Sequence, residues 1–181
     1  EDPCVVGMKR ARLAALLKHG INLIAYHLPL DAHNQFGNNV QLGKQLGIAI
    51  QGEFADQNGP ALGRYGALLA PMSGEALAEH IAAQLHREPL HIAGNGREIK
   101  TIAWCSGAAQ DFLSNAVALE VDAYLTGEIS ERTVLEARES GIHFYAAGHH
   151  ATERYGVCAL GNHLAKQFGL EHQFIDIDNP A

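Results

Sequence analysis

Near the C-terminal end, the apolar run His143-Phe144-Tyr145-Ala146 passes through Ala147-Gly148 into a segment with Val157, Leu160, Leu164 and Phe168 at helical spacing. A buried strand that turns through glycine into a helix commits a chain to α/β packing, because each element must cover the apolar side of the other. The first turn of that helix carries His149, His150 and Glu153. His149 and Glu153, at i and i+4, share one helical face. An imidazole and a carboxylate so placed suit a divalent cation, although a pair at that spacing is more often an ordinary polar contact.

The same unit recurs upstream. Ile99 to Trp104 reads as a buried strand ending at Cys105-Ser106-Gly107-Ala108-Ala109, followed by a helix with Phe112, Ala116 and Leu119 inward. Asp122 to Thr126 is a strand ending at Gly127-Glu128, followed by a helix carrying Val134, Leu135 and Ala137 to Gly141. Ser73 caps a helix with Leu77, Ile81 and Leu85 on one face. The turn Gly94-Asn95-Gly96 lies between two apolar runs, Pro89–Ala93 and Glu98–Cys105, and predicts a hairpin between them. Ile48–Phe54 and Gly66–Pro71 read as strands on either side of a loop from Ala55 to Arg64.

The N-terminal part predicts a helix from Met8 to His19, with Leu13, Leu16 and Leu17 inward. A strand Ile21–His27 follows, then an extended loop shaped by Pro29, and a short helix Val40–Leu46. Phe174–Ile177 reads as a last strand. Strand-end loops are where α/β folds keep their chemistry, so His27 and Asp31 join the candidate site residues. His27 and Glu128 are candidates for proton transfer. Against this, His27 also suits a strand-terminal backbone contact, Asp31 a turn or cap, and Glu128 a helix N-terminus.

Composition narrows the classes of function. The chain has 181 residues, 47% of them hydrophobic, enough for one compact domain or two small interlocked lobes. Thirteen basic against twenty acidic residues give a net charge of -7, so direct nucleic-acid binding is not expected. No apolar run is long enough to span a membrane. Three scattered cysteines without a C-x-x-C motif argue against a disulfide framework and for a cytoplasmic location. The start, Glu1-Asp2-Pro3-Cys4, reads as the interior of a longer protein.

The blocks HLPLDAH, GNN, AWCSGAAQ, VDAYLTGEISE, HFYAAGHHATERYG and FIDIDNP together resemble the NIF-three-like family, whose members are called GTP cyclohydrolase I type 2 homologs. The resemblance runs in order through essentially the whole chain, and the short bacterial members are the nearest in pattern. It implies two interlocked α/β lobes with mostly parallel or mixed sheets, a dinuclear metal site and a homohexamer. Residues 1–47 and 141–181 would then form the metal-side lobe, and 48–140 the second. Carried over residue by residue, it assigns metal ligation to Asp31, His149 and Glu153, with Glu153 a candidate bridge between two divalent ions. Zinc, manganese, iron and nickel all suit such donors. The family also carries a His-His pair upstream of the segment this chain spans, and residues 1–181 hold no counterpart. The implied activity is metal-dependent hydrolysis of a small molecule, a nucleotide; the other reading is a non-catalytic metal-binding or regulatory assembly protein.

Overall fold

The structure, a computed structural model, describes residues 4–55 and 59–181. Glu1-Asp2-Pro3 and the middle of the expected 55–64 loop, residues 56–58, lie outside the described residues. The chain is an α/β fold built on one mixed six-stranded sheet. Its strands are β1 (Ala49–Phe54), β2 (Gly63–Met72), β3 (Leu90–Ile92), β4 (Ile99–Trp104), β5 (Ala123–Thr126) and β6 (His143–Ala146), in the order β1-β2-β4-β5-β6-β3. β4, β5 and β6 are parallel; the other three pair antiparallel.

The parallel strands are short and buried, as the apolar runs require. Alternate residues face opposite ways. Ile102, Trp104, Leu125 and Tyr145 enter one core with Leu42, Leu77, Ile81 and Leu85, which come from α3 (Asn38–Gln45) and α4 (Gly74–Leu85). Ala103, Tyr124 and Phe144 enter a second core with Leu113, Ala116 and Ala137, from α5 (Leu113–Ala118) and α6 (Glu131–Ser140). Ser73 caps α4 by accepting from the Ala76 N–H, as expected. Gly43 lets α3 settle onto the buried Trp104, since a Cβ there would sit 2.5 Å from the indole ring.

The hairpin expected around Gly94-Asn95-Gly96 does not form. Both edges of β4 are occupied, by β2 on one side and β5 on the other. β3 pairs instead with β6, Leu90 opposite Ala146 and Ile92 opposite Phe144. A turn signal specifies reversal of the chain; it does not specify which strand receives the returning segment.

Four apolar segments also depart from expectation. α1 (Gly7–Lys18) forms, yet it buries no residue, and Leu17 is 83% exposed. Ile21–His27 and Phe174–Ile177 carry no strand, and among the described residues no strand pairs with them. On α8 (Tyr155–Phe168), Val157, Leu164 and Phe168 are exposed. Apolar and β-branched residues make a segment able to pair or pack, but a strand exists only when a neighbour accepts its hydrogen bonds. No helix of the described residues is long and apolar enough to cross a membrane.

Candidate metal centre

The site lies at the C-terminal ends of the three parallel strands, where open α/β sheets hold their ligands. There the turns after β4, β5 and β6 are tied together through glycines. The Gly127 N–H donates to Gly107 O, and the Gly148 N–H donates to Gly127 O, each at 2.9 Å. Gly148 leads into α7 (His149–Glu153), which presents His149 and Glu153. The Gly107 backbone has φ +68°, and a Cβ there would lie 3.1 Å from Glu153 Oε1 and 3.2 Å from His149 Nε2. Only glycine both adopts that conformation cheaply and leaves those groups their space.

The second supporting element is α2 (Leu28–Ala32), a single helical turn where an extended loop was expected. Pro29 sits in its first turn, where the missing N–H costs nothing. Asp31, 5% exposed, projects from it. Its carboxylate accepts a 2.7 Å hydrogen bond from Asn38 Nδ2, and Asn38 Oδ1 accepts from the Gly156 N–H at 2.8 Å. Asn39 Oδ1 accepts from the Ser106 N–H at 2.8 Å. The two asparagines that open α3 thus join α2, α8 and the turn after β4. Buried Arg64 holds the far side, donating to Ala32 O at 2.9 Å and Asn34 Oδ1 at 2.8 Å.

His27, Asp31 and Glu153 offer one ligand atom each, all within 4.8 Å of one another. His149 adjoins this group. Its Nε2 lies 2.6 Å from Glu153 Oε2 and its Nδ1 2.6 Å from Glu128 Oε1. Burial lowers the His149 pKa, but its bonds to Glu128 and Glu153 outweigh that and raise it overall. The Glu153 carboxyl is pushed up, first by burial and then by the charge of Asp31, with His149 acting the other way. Two carboxylates this close repel unless a cation lies between them, and the donor set of imidazole and carboxylate fits a borderline divalent metal. Cys105 is not a ready ligand or nucleophile: burial, then Asp31, pushes its thiol up to about 12.

A cavity of about 400 Å³ opens beside the cluster, lined by His27, Asp31, His149 and Glu153 together with Leu28, Leu62, Ser106 and Phe112. His150 lies apart from it. It donates from Nε2 to Asp176 Oδ1 at 2.8 Å, and Arg154 donates to the other oxygen of the same carboxylate at 2.7 Å.

Of the residues singled out by sequence, the ligand candidates Asp31 and Glu153 come together with His27, the proton-transfer candidate. His149 and Glu128 join them through Glu153. Glu128 contacts the imidazole rather than capping α6, whose N-cap is Ser130. Sequence reasoning passed over Asn38, Asn39, Ser106 and Gly107. The GNN and CSGAAQ blocks were visible as turns, but nothing in their spacing shows that they meet.

The sequence model of Duf34/NIF3 (NGG1p interacting factor 3) matches residues 3–180. A Pseudomonas aeruginosa protein named GTP cyclohydrolase 1 type 2 homolog is 55% identical over 181 residues, which cover all of this chain and 71% of the relative. A Vibrio cholerae protein of the same name is 47% identical, with 72% of it covered. Among solved structures, the protein ybgI superposes with a TM-score of 0.93 at 49% identity, over all of this chain and 72% of that one. A Thermus thermophilus protein superposes at 0.88 and 30% identity, over all of this chain and 71% of that one. With the family pattern matched from end to end and relatives near half identity, the chain belongs to the Duf34/NIF3 family.

Proposed function

We propose that the protein holds two divalent metal ions and is a hydrolase acting on a nucleotide, as the name shared by its relatives suggests. The observation that carries the reading is the convergence of His27, Asp31 and Glu153 from two distant segments to within 4.8 Å. Asp31, Glu153 and His149 are the proposed ligands, Glu153 bridging, and His27 joins them because its ring nitrogen lies among their oxygens. Bound divalent metal lowers the pKa of its water and supplies hydroxide near neutral pH. Glu128 holds the His149 ring by accepting from Nδ1–H, which fixes the orientation of Nε2. Asn38 does the same for Asp31. The grouping of 1–47 with 141–181 as a metal-side lobe belongs to the same proposal, supported by the packing of α2 and α3 against α8.

Two further parts rest on the family resemblance and on the surface. A homohexamer would cover some of the apolar area exposed at Leu17, Ile24, Phe168 and Ile175. A cytoplasmic location suits the free thiols Cys105 and Cys158. Light scattering on the intact protein tests the assembly, and a stable monomer would remove the hexamer.

The central test is metal content by elemental analysis beside turnover of guanine nucleotides with added manganese or zinc. Up to two ions per chain are expected in wild type. Glu153→Gln should lose metal and activity together, whereas His150→Ala should retain metal, since His150 bonds to Asp176 instead. Full metal in Glu153→Gln would remove Glu153 from the site. Metal bound without turnover of any nucleotide would leave a metal-binding protein and sink the hydrolase.

A further inference from the structure

β6 begins at the end of the parallel strands opposite the candidate centre. There buried His143 packs against His91 of the edge strand β3. His91 lies flat on Tyr145, its cross-strand partner, with ring centroids 4.5 Å apart and 8° between the planes, and it stacks on His143 at 5.3 Å. β3 is three residues long and, among the described residues, pairs only with β6. A strand so short owes much of its attachment to these ring contacts.

The hydrogen bonds fix where the protons sit. The Gly94 N–H reaches His143 Nδ1 at 3.3 Å, and a backbone N–H can only donate, so that nitrogen is bare. The His143 proton is therefore on Nε2, which is buried and makes no hydrogen bond. His91 Nε2 lies 3.0 Å from the same bare nitrogen and carries the proton it donates. One acceptor thus serves two donors. A proton added to the pair can be shared between the rings only if the Gly94 N–H loses its acceptor. A second added proton leaves two stacked cations.

The surroundings oppose charge on either ring. A Cβ on Gly74, the first residue of α4, would lie 2.7 Å from both imidazoles, so the positive end of that helix faces them. Tyr145, whose pKa is raised chiefly by burial, stays neutral and donates its hydroxyl to Gly74 O at 2.8 Å. Glu75 faces both rings and Asp122 and the Arg97 backbone face His143, all favouring protonation. Burial outweighs them, helped at His91 by the charge of its partner, and holds both rings below the ordinary histidine range.

We propose that His91 and His143 form a proton-operated latch. Neutral, the pair fastens β3 to β6; protonated, it releases β3 and leaves β6 as an exposed edge, the kind of strand that pairs with another chain. The latch shares no residue with the candidate metal centre, so it stands or falls independently of the function proposed above.

Hydrogen exchange of the intact protein at pH 7.5 and 5.5, corrected for the intrinsic rate of each amide, tests this. The Leu90–Ile92 amides should open about tenfold more often at pH 5.5, the factor for one proton bound only by the released form. Those of Ile99–Trp104, in the middle of the sheet, should change by less than about twofold. In His143→Gln the side-chain oxygen can accept from both donors and does not titrate, so the acceleration in β3 should disappear. Equal acceleration of β3 and β4 would mean general loosening and overturn the latch. So would an unchanged β3 in wild type, or the wild-type acceleration in His143→Gln. If that variant does not fold, nitrogen NMR of the wild-type protein at pH 7.5 decides alongside the wild-type exchange. His143 is expected to show a bare Nδ1 and a protonated Nε2, and a proton on Nδ1 would overturn the proposal.

Discussion

Asn38→Ala is the substitution that best separates the scaffold of the site from its ligands. Asn38 is buried and makes two hydrogen bonds, donating to Asp31 Oδ1 at 2.7 Å and accepting from the Gly156 N–H at 2.8 Å. The first goes to a charged group and is worth about 1.5–3 kcal/mol; the second is neutral, about 0.5–1.5 kcal/mol, and its loss leaves a buried N–H without a partner. Together they predict a destabilisation of about 3–4 kcal/mol, a large part of the ~5–15 kcal/mol that holds a domain folded. In urea, with a slope of about 2 kcal/mol/M for a chain of this size, the midpoint should fall by roughly 1.5–2 M with the slope unchanged. Metal affinity should also drop, by about 10–100-fold, because Asp31 loses the group that orients it. A midpoint shift below about 0.5 M, or unchanged metal affinity, would refute the claim that α3 positions Asp31 through this amide.

Two other predictions follow from the same geometry. Gly107→Ala puts a Cβ 3.1 Å from Glu153 Oε1 on a backbone with φ +68°. It should cost about 1–2 kcal/mol in stability and reduce bound metal measurably, and wild-type metal content in a folded Gly107→Ala protein would contradict the close approach. His91 and His143 stack, and His91 Nε2–H donates to His143 Nδ1 at 3.0 Å. Both pKa values are lowered, chiefly by burial, with Glu75 opposing at each ring, Asp122 and the Arg97 backbone opposing at His143, and the His143 charge adding to the lowering at His91. A histidine whose folded pKa lies below the unfolded value binds fewer protons when folded. Its contribution is complete above about pH 6.5 and is lost as pH falls below that value, at up to about 1.4 kcal/mol per pH unit for each whole proton. Urea midpoints at pH 7.5, 6.5 and 5.5 should show this decline in wild type and a shallower one in His143→Gln; identical slopes would rule out the pair as its source.

The parallel strands and the helices between them were legible because their signals are local. β4, β5 and β6 are short apolar runs ending in small residues, α4 has Ser73 and its evenly spaced Leu77, Ile81 and Leu85, and α6 ends at a left-handed Gly141. Each depends on backbone preferences and side-chain periodicity within a dozen residues. The family blocks added Asp31, His149 and Glu153 as ligand candidates, again by type and position along the chain.

What the linear order could not carry was the identity of neighbours. Gly94-Asn95-Gly96 announces a turn, but β3 goes to β6 because β4 has no free edge. Ile21–His27 and Phe174–Ile177 have strand-like composition and, among the described residues, no ladder, since pairing is a property of two segments and composition belongs to one. In the site, Asp31 and Glu153 are more than a hundred positions apart, and only the sheet brings their oxygens together. His27 was read from its place at a strand end; its position among those oxygens follows from where α2 packs. Asn38 and Asn39 matter through hydrogen bonds to Asp31, to the Gly156 N–H and to the Ser106 N–H, all made across long stretches of chain or between elements. From the sequence alone come the α/β class, the succession of elements and the residue types able to hold a metal. The tertiary structure decides which of them converge, because long-range contacts depend on the whole packed sheet, and no local spacing records them.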